Sequence, residues 1–228
     1  MYTLSVPSWV IPGTYLENLR FLAEKPEITG VELLFFFYNR ETEALLEQEW
    51  EGIAACSTRF AFTAHLPDTL APEHAALAAR LMPLVRHCVL HPGEDPPSQA
   101  RLMNAWFDRF GIGRFVLENT HPRKLEALLP LLPAETGLCM DCGHLLLEGK
   151  SPARFFERHE GRIREIHLHR IDRQKAAEDK RLEDHRPLVE GEPWYRELAP
   201  YLRRFDGIVN LEVFSWEEVS QSLAVLVS

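Results

Sequence analysis

Gly137-Leu-Cys-Met-Asp-Cys-Gly-His144 is an apolar run that ends in an aspartate and is followed, three residues later, by a histidine. The run predicts a buried strand, and the glycine after it predicts a turn into a helix that the histidine opens. Asp141 and His144 would then direct a carboxylate and an imidazole into one space. Ligands bind at the carboxyl ends of parallel strands in α/β folds, and both groups are common metal ligands. A strand-end aspartate also often caps the next helix, so the pair needs partners from elsewhere in the chain.

The composition is that of a globular protein, with 228 residues, 46% hydrophobic and 26% charged. The formal net charge of −9 argues against nucleic acid as the main partner, since proteins that grip a duplex usually present a basic surface. The N-terminal residues lack the basic and apolar regions of a secretory signal, and the longest apolar run, 33–38, is far below the ~20 residues of a membrane span. The four cysteines suit a reducing compartment. We therefore expect a cytoplasmic protein with no membrane partner.

Short apolar strands alternate with helical stretches along the whole chain. The expected strands are 3–6, 30–37, 59–65, 87–91, 114–118, 137–141, 163–169 and 207–213. Eight evenly spaced strands with helices between them predict a single (β/α)8 TIM barrel over residues 1–228, in preference to an open doubly wound sheet. One long polar connection, 170–192, follows the seventh strand, and connections of this length are usually functional or mobile.

Polar residues follow or end most of these strands. In a closed barrel they would converge at one face. A single histidine at a strand end is more often a loop anchor than a ligand, but a histidine, aspartate or glutamate on six successive strands favours a metal centre. One metal takes three or four such ligands, so the set is large enough for more than one. Its members are His65, His91, Glu118, Asp141, His144, His167 and Glu212.

These residues resemble the metal ligands of the xylose isomerase-like, AP-endonuclease-family-2 superfamily of TIM barrels, and most closely those of endonuclease IV. The resemblance implies a three-zinc centre to which all seven residues belong. It adds an acidic-x-histidine pair, matched by His185 with Glu183 in place of the family's aspartate. Asp184 is the alternative ligand if the register slips by one residue.

The resemblance leaves two reactions open. Sugar isomerases and epimerases of the superfamily would need one metal on Glu118, Asp141, His167 and Glu212, with the two glutamates exchanging the proton. The additional histidines favour a multinuclear phosphodiesterase, in which we expect Glu118, Glu212 and His91 to be catalytic. We expect two or three divalent ions per chain, with zinc favoured over manganese or iron. A binding protein without turnover is the least favoured alternative.

The segment 6–14, Val-Pro-Ser-Trp-Val-Ile-Pro-Gly-Thr, resembles the cobamide-remodelling phosphodiesterases of the same superfamily. This implies a small phosphorylated substrate, cleaved in the nucleotide loop of a corrinoid; no oligomeric state is predicted. Each candidate substrate contact has a structural alternative: support of a metal ligand, helix capping, core packing or a solvated surface. These candidates are Glu32, Asn119, His169, Trp9 and Arg186.

Overall fold

Eight parallel strands close into a barrel in chain order, in a computed structural model that describes residues 2–174 and 184–226. The last strand pairs with the first through Leu4 and Val209, which closes the cylinder. The predicted (β/α)8 TIM barrel is therefore confirmed. The strands are β1 (Thr3–Pro7), β2 (Gly30–Leu34), β3 (Ala61–His65), β4 (Val85–Leu90), β5 (Phe115–Glu118), β6 (Gly137–Asp141), β7 (Ile163–His167) and β8 (Ile208–Asn210).

Helices cover the outside of the barrel, and side-chain caps begin several of them. Thr14 and Glu17 form a capping box at the first helix, and Asn39 caps the second. The inner faces of the helices carry leucine, isoleucine and phenylalanine. Each such side chain contributes about 1.5–3 kcal/mol to the free energy of unfolding when it is fully buried. The described helices are α1 (Tyr15–Ala23), α2 (Arg40–Ala55), α3 (Ala75–Leu81), α4 (Pro96–Phe110), α5 (Pro122–Leu128), α6 (Cys142–Leu147), α7 (Pro152–His159), α8 (Pro193–Leu202) and α9 (Trp216–Leu226).

The strand ends differ from the expected ranges by a few residues. β2 ends at Leu34, although the apolar run continues to Phe37. The Phe35 amide still donates to the His65 carbonyl at 2.8 Å, after which the chain leaves the barrel wall for the mouth. Apolar composition alone does not distinguish the end of a buried strand from an aromatic loop.

The connection after β7 begins and ends as a two-residue antiparallel bridge. The Arg170 amide donates to the Arg186 carbonyl at 2.9 Å, and the reverse bond has the same length. This pairing returns the chain to the barrel mouth just after His185. The middle of the connection, 175–183, lies outside the described residues, and the predicted ligand Glu183 is among those residues. None of the described helices is both long and apolar enough to cross a bilayer.

Candidate metal centre

The predicted ligands lie together at the carboxyl end of the barrel. Four of them are the final residues of their strands: His65 of β3, Glu118 of β5, Asp141 of β6 and His167 of β7. His91 follows β4 directly, and the parallel register therefore directs these side chains to one face. Of these five residues, all but His91 are buried, with 2% or less of the residue exposed.

His65, His91 and Glu118 form a first pocket. Glu118 Oε2 lies 3.2 Å from His65 Nε2 and 3.4 Å from His91 Nε2. Two ligands held at ~2.1 Å from one tetrahedral zinc lie ~3.4 Å apart. The three side chains therefore already have the spacing of ligands to a single ion.

A second pocket shares Glu118 with the first and adds Asp141, His167 and Glu212. His167 Nδ1 lies 3.0 Å from Glu212 Oε2, 3.5 Å from Glu118 Oε2 and 3.9 Å from Asp141 Oδ2. Three carboxylates face one imidazole nitrogen here. These four residues lie directly beside the first pocket.

His169 also reaches the second pocket. Its Nε2 lies 2.9 Å from Asp141 Oδ2 and 3.7 Å from Glu212 Oε2, and the side chain is fully buried. Gly143 provides the room, because a Cβ atom there would lie 2.0 Å from His169 Cε1. The predicted substrate contact of His169 stays a prediction, while the structure makes it an additional candidate ligand. Alternation along β7 is the sequence signal, since residues 165, 167 and 169 share one face.

His144, Asp184 and His185 converge beside the second pocket as a third group. Asp184 Oδ2 lies 3.9 Å from His144 Nδ1 and 4.0 Å from His185 Nδ1. His185 has φ 51°, the one positive φ among the described non-glycine residues, a backbone conformation that carries strain. Of the two acidic residues proposed for the acidic-x-histidine pair, Asp184 is thus placed between the two imidazoles, and Glu183 lies outside the described residues.

The electrostatics of the cluster follow from buried carboxylates beside buried imidazoles. Burial lowers the pKa of His65, but its hydrogen bond to Glu118 and nearby carboxylates outweigh this effect and raise the pKa to about 9. Burial raises the pKa of Glu118, but His91, His167 and the hydrogen bond from His65 hold it well below the usual value. The same competition raises the pKa of His169 and lowers that of Asp141. Without metal, the surroundings therefore favour ionised Glu118 and Asp141 beside protonated His65 and His169.

Buried polar atoms without hydrogen bonds show that divalent cations fit this cluster. Both ring nitrogens of His167 and Oε2 of Glu212 lack a hydrogen-bond partner, although they are fully shielded from solvent. Orphaned groups of this kind are costly, and a cation bound by His167 Nδ1 and Glu212 Oε2, which lie 3.0 Å apart, would satisfy a lone pair on each. Imidazole and carboxylate donors suit zinc, manganese and iron.

Two buried residues contact the candidate ligands Asp141 and His167. Asn119 Nδ2 donates to the Asp141 carbonyl at 2.9 Å, and Asn119 Oδ1 accepts from the Asp141 amide at 2.8 Å. Glu32 lies below His167, with Oε1 3.3 Å from His167 Nε2, and accepts from Asn210 Nδ2 at 2.6 Å. The sequence predicts that Asn119 and Glu32 contact substrate, and both roles stay predictions. In the structure, Asn119 contacts the backbone of Asp141 and Glu32 contacts the ring of His167.

A further polar pair lies deeper in the barrel and was missed by the sequence analysis. Glu165 is fully buried, with Oε2 2.6 Å from His87 Nε2 and Oε1 accepting from Thr63 Oγ1 at 3.2 Å. TIM-barrel interiors are usually filled by branched apolar side chains, so this polar layer is unusual. Nothing in the sequence around His87 indicated it, because its partner is 78 residues away.

The remaining predicted substrate contacts occupy different places. Trp9 lies in the loop after β1 with 58% of the residue exposed, and it lines a cleft at the barrel mouth. Arg186 follows His185, and its Nη2 lies 3.0 Å from Glu218 Oε1 of α9. Both substrate roles stay predictions.

Comparisons with known proteins identify the fold. No protein-family profile and no curated protein sequence matches the chain. Among solved structures, it is similar to the probable 3-DHS dehydratase AsbF from Bacillus anthracis (TM-score 0.69, 17% identity, covering 99% of this chain and 97% of that one). It is also similar to endonuclease IV from Thermus thermophilus, with a TM-score of 0.61 and 16% identity, covering 98% of this chain and 97% of that one. The IolI protein with a bound zinc atom matches with a TM-score of 0.66 and 14% identity, covering 98% of this chain and 94% of that one.

Sugar epimerases and a sugar phosphate isomerase also share this fold. The matching structures thus include a nuclease, a dehydratase and isomerases on one barrel. At identities of 17% or less, they show a common architecture, the closed (β/α)8 barrel. The reaction has to be argued from the side chains.

Proposed function

We infer that this protein is a metal-dependent hydrolase that cleaves a phosphodiester in a small nucleotide-containing substrate. The observation that carries this proposal is the sharing of Glu118 between two complete pockets. A one-metal isomerase needs the second pocket alone and has no use for His65 and His91 at 3.2 and 3.4 Å from the same carboxylate oxygen. His144, Asp184 and His185 extend the donor set further.

His65, His91 and Glu118 would hold one divalent ion, and Glu118, Asp141, His167 and Glu212 a second. His144, Asp184 and His185 would hold a third, with His169 available to the second or the third. Such ions would act as Lewis acids toward the phosphoryl oxygens and would neutralise charge on the leaving oxygen.

The protein's own side chains divide into a buried layer and an open rim. His91, His144 and His185 are partly exposed, with side-chain exposures of 19%, 24% and 28%, so an incoming substrate meets them first. Glu212 Oε2 lies beneath this rim, 3.6 Å from His185 Nε2 and 3.0 Å from His167 Nδ1. A carboxylate in this position can accept the proton of an attacking water, as expected for a catalytic Glu212.

A small substrate fits the charge of the chain. The net charge is −9, and a duplex would have to approach an acidic protein. The finer proposal, carried by the resemblance of segment 6–14, is a corrinoid cleaved in its nucleotide loop. Metal-loaded protein incubated with a cobamide should release the lower-ligand nucleoside, seen as a changed absorbance spectrum and a new chromatographic peak. An unchanged cobamide would overturn this finer proposal and leave the general one standing.

Metal content and one substitution test the general proposal. The purified protein should contain two or three metal ions per chain by elemental mass spectrometry and should hydrolyse bis(4-nitrophenyl) phosphate. His91→Ala should lower kcat by about 100-fold or more, because it opens the first pocket. His121→Ala, at an exposed position before α5, is the matched control and should leave kcat unchanged.

The second candidate is a single-metal sugar isomerase or epimerase. It is favoured by the completeness of the second pocket and by the isomerases and epimerases that share the fold. In that case the protein would bind one ion between Glu118 and Glu212. Sugar isomerisation would then survive His91→Ala, and phosphodiester hydrolysis would be absent.

A further inference from the structure

Two large exposed aromatic side chains line one cleft at the barrel mouth. Trp9, in the loop after β1, is 58% exposed, and Phe37, in the loop after β2, is 79% exposed. Isolated exposed apolar residues are ordinary on protein surfaces. These two border the same cleft, which makes them a shared feature of the mouth.

The cleft between these loops is apolar and about 300 Å³ in volume. Trp9, Phe37, Phe36 and Leu34 are among its walls, and none of the described residues lining it is charged. Its size is at the lower end of the ~300–1,000 Å³ typical of small-molecule pockets, enough for part of a ligand. An uncharged group is therefore the fitting occupant.

The polar side chains of the cleft are already engaged with the protein's own groups. Tyr15 Oη donates to the Leu34 carbonyl at 2.8 Å, and Ser8 Oγ accepts from the Leu34 amide at 3.1 Å. Thr42 Oγ1 lies 3.2 Å from Asn39 Oδ1. What the walls offer a ligand is therefore mainly aromatic surface, and aromatic faces recognise flat rings by stacking.

The loop that carries Trp9 is held firmly by buried Asn18. Asn18 Oδ1 accepts from the amides of Val10 and Ile11 at 2.9 and 3.0 Å, and its Nδ2 donates to the Thr14 and Ile11 carbonyls. The Trp216 amide adds a bond to the Val10 carbonyl at 2.8 Å. An exposed tryptophan on a loop fixed in this way is a preorganised stacking surface, which reduces the ordering cost of binding.

Aromatic contacts connect the cleft to the metal centre. The Phe36 ring lies 4.5 Å from the His65 imidazole, centroid to centroid, and 6.5 Å from Phe214. Phe214 in turn lies 5.0 Å from His185. One wall of the cleft is thus a direct neighbour of the first pocket, and a molecule bound there can extend to both.

We propose that this cleft is the subsite for an uncharged planar ring of the substrate, which stacks on Trp9 and Phe37 while the phosphodiester lies at the metal centre. The proposal rests on the proposed function, because that function identifies the group at the metal centre as a phosphodiester. It assigns substrate specificity to the first two loops of the barrel and bond cleavage to the strand ends.

The test separates the two halves of the substrate by using two probes. Zinc-loaded protein is titrated calorimetrically with adenosine, which carries a planar ring and no phosphate, and with ribose 5-phosphate, which carries a phosphate and no such ring. Both should bind. Trp9→Ala and Phe37→Ala should each weaken the binding of adenosine by about tenfold or more, since base–aromatic stacking is lost. The affinity for ribose 5-phosphate should stay unchanged.

The controls distinguish stacking from folding. Trp9→Phe keeps a ring and should retain most of the affinity for adenosine. Leu131→Ala removes an apolar side chain that is 45% exposed in the 3₁₀ turn after α5, and it should change neither affinity. Thermal unfolding of each variant checks that the barrel is intact.

Each result bears on one proposal or both. If ribose 5-phosphate binds but adenosine does not, or if adenosine binding survives both alanine variants, the ring subsite is overturned and the proposed function stands. If adenosine binds through Trp9 and Phe37 while ribose 5-phosphate does not bind, the subsite stands and the phosphodiester proposal fails. Binding of neither probe overturns both.

Discussion

His167 Nε2 lies 3.3 Å from Oε1 of Glu32, and both side chains are fully buried. Because one ring nitrogen faces Glu32 below, the other faces Glu118, Asp141 and Glu212 above. A buried carboxylate thus lies against the ring of a candidate metal-binding histidine, a position from which it can orient the ring of that histidine. Asn210 Nδ2 in turn donates a hydrogen bond to the other carboxylate oxygen of Glu32, Oε2, at 2.6 Å.

Glu32→Gln should weaken metal binding by about 10–100-fold, because an amide orients the His167 ring less strongly than a carboxylate does. Competition with a chelator of known affinity measures this change. Glu27→Gln, at an exposed position before β2, is the control and should match the unsubstituted protein. Equal zinc affinity for all three proteins would show that Glu32 has no role in orienting His167.

Gly143→Ala should disturb the second and third pockets without unfolding the barrel. The new Cβ atom would lie 2.0 Å from His169 Cε1 and 2.7 Å from Asp184 Oδ1, so both side chains have to move. We expect a lower metal content and lost hydrolysis, measured on protein with a normal circular dichroism spectrum. Gly161→Ala meets no atom within 4 Å and serves as the control. Full metal content in Gly143→Ala would contradict the close packing of His169.

Asn119→Ala removes both hydrogen bonds to the backbone of Asp141 and leaves a buried amide and carbonyl without these partners. The cost should be about 1–3 kcal/mol in free energy of unfolding, measured by urea titration. Metal affinity should fall as well, because Asp141 loses its support. If Asn119 served substrate binding alone, KM would rise while stability and metal affinity stayed at the level of the unsubstituted protein.

Zinc binding at pH 7.5 should release protons. The pKa of His65 is raised to about 9, so its imidazole is protonated in the metal-free protein at this pH, and the pKa of His169 is raised as well. A histidine binds metal only in its neutral form, so the proton leaves as the ion enters, and zinc affinity increases with pH up to about 9. Calorimetry in two buffers of different ionisation enthalpy measures the number released. Identical heats in both buffers would indicate that the histidines are already neutral.

The sequence predicted where most of the candidate ligands lie, because the relevant signal is local. A polar residue that ends an apolar run lies at a strand end, and His65, Glu118 and Asp141 all follow this rule. Asp141 also accepts a hydrogen bond from the His144 amide at 2.6 Å. The two readings of this aspartate, helix cap and candidate ligand, are therefore compatible, with one carboxylate oxygen directed to each.

Other parts of the site could not be predicted from local pattern. His87 pairs with Glu165 across 78 residues, and Asn210 reaches Glu32 across 178. These contacts depend on which strands face each other across the closed barrel and on how far each strand is shifted along its neighbour. Residue spacing within one strand carries no such information.

The alternation of strand and helix determined the barrel, and the strand ends determined where the candidate ligands lie, since both follow from periodicity and turns within short segments. Closure of the barrel decided the rest: that Glu118 belongs to two pockets, that Asp184 faces His144, and that Trp9 and Phe37 border one cleft. In Gly137-Leu-Cys-Met-Asp-Cys-Gly-His144, the order of residues predicted an acid and an imidazole at a turn. The close approach of His169 over Gly143 needed the tertiary structure, because side chains from different strands meet only when packing brings the strands together.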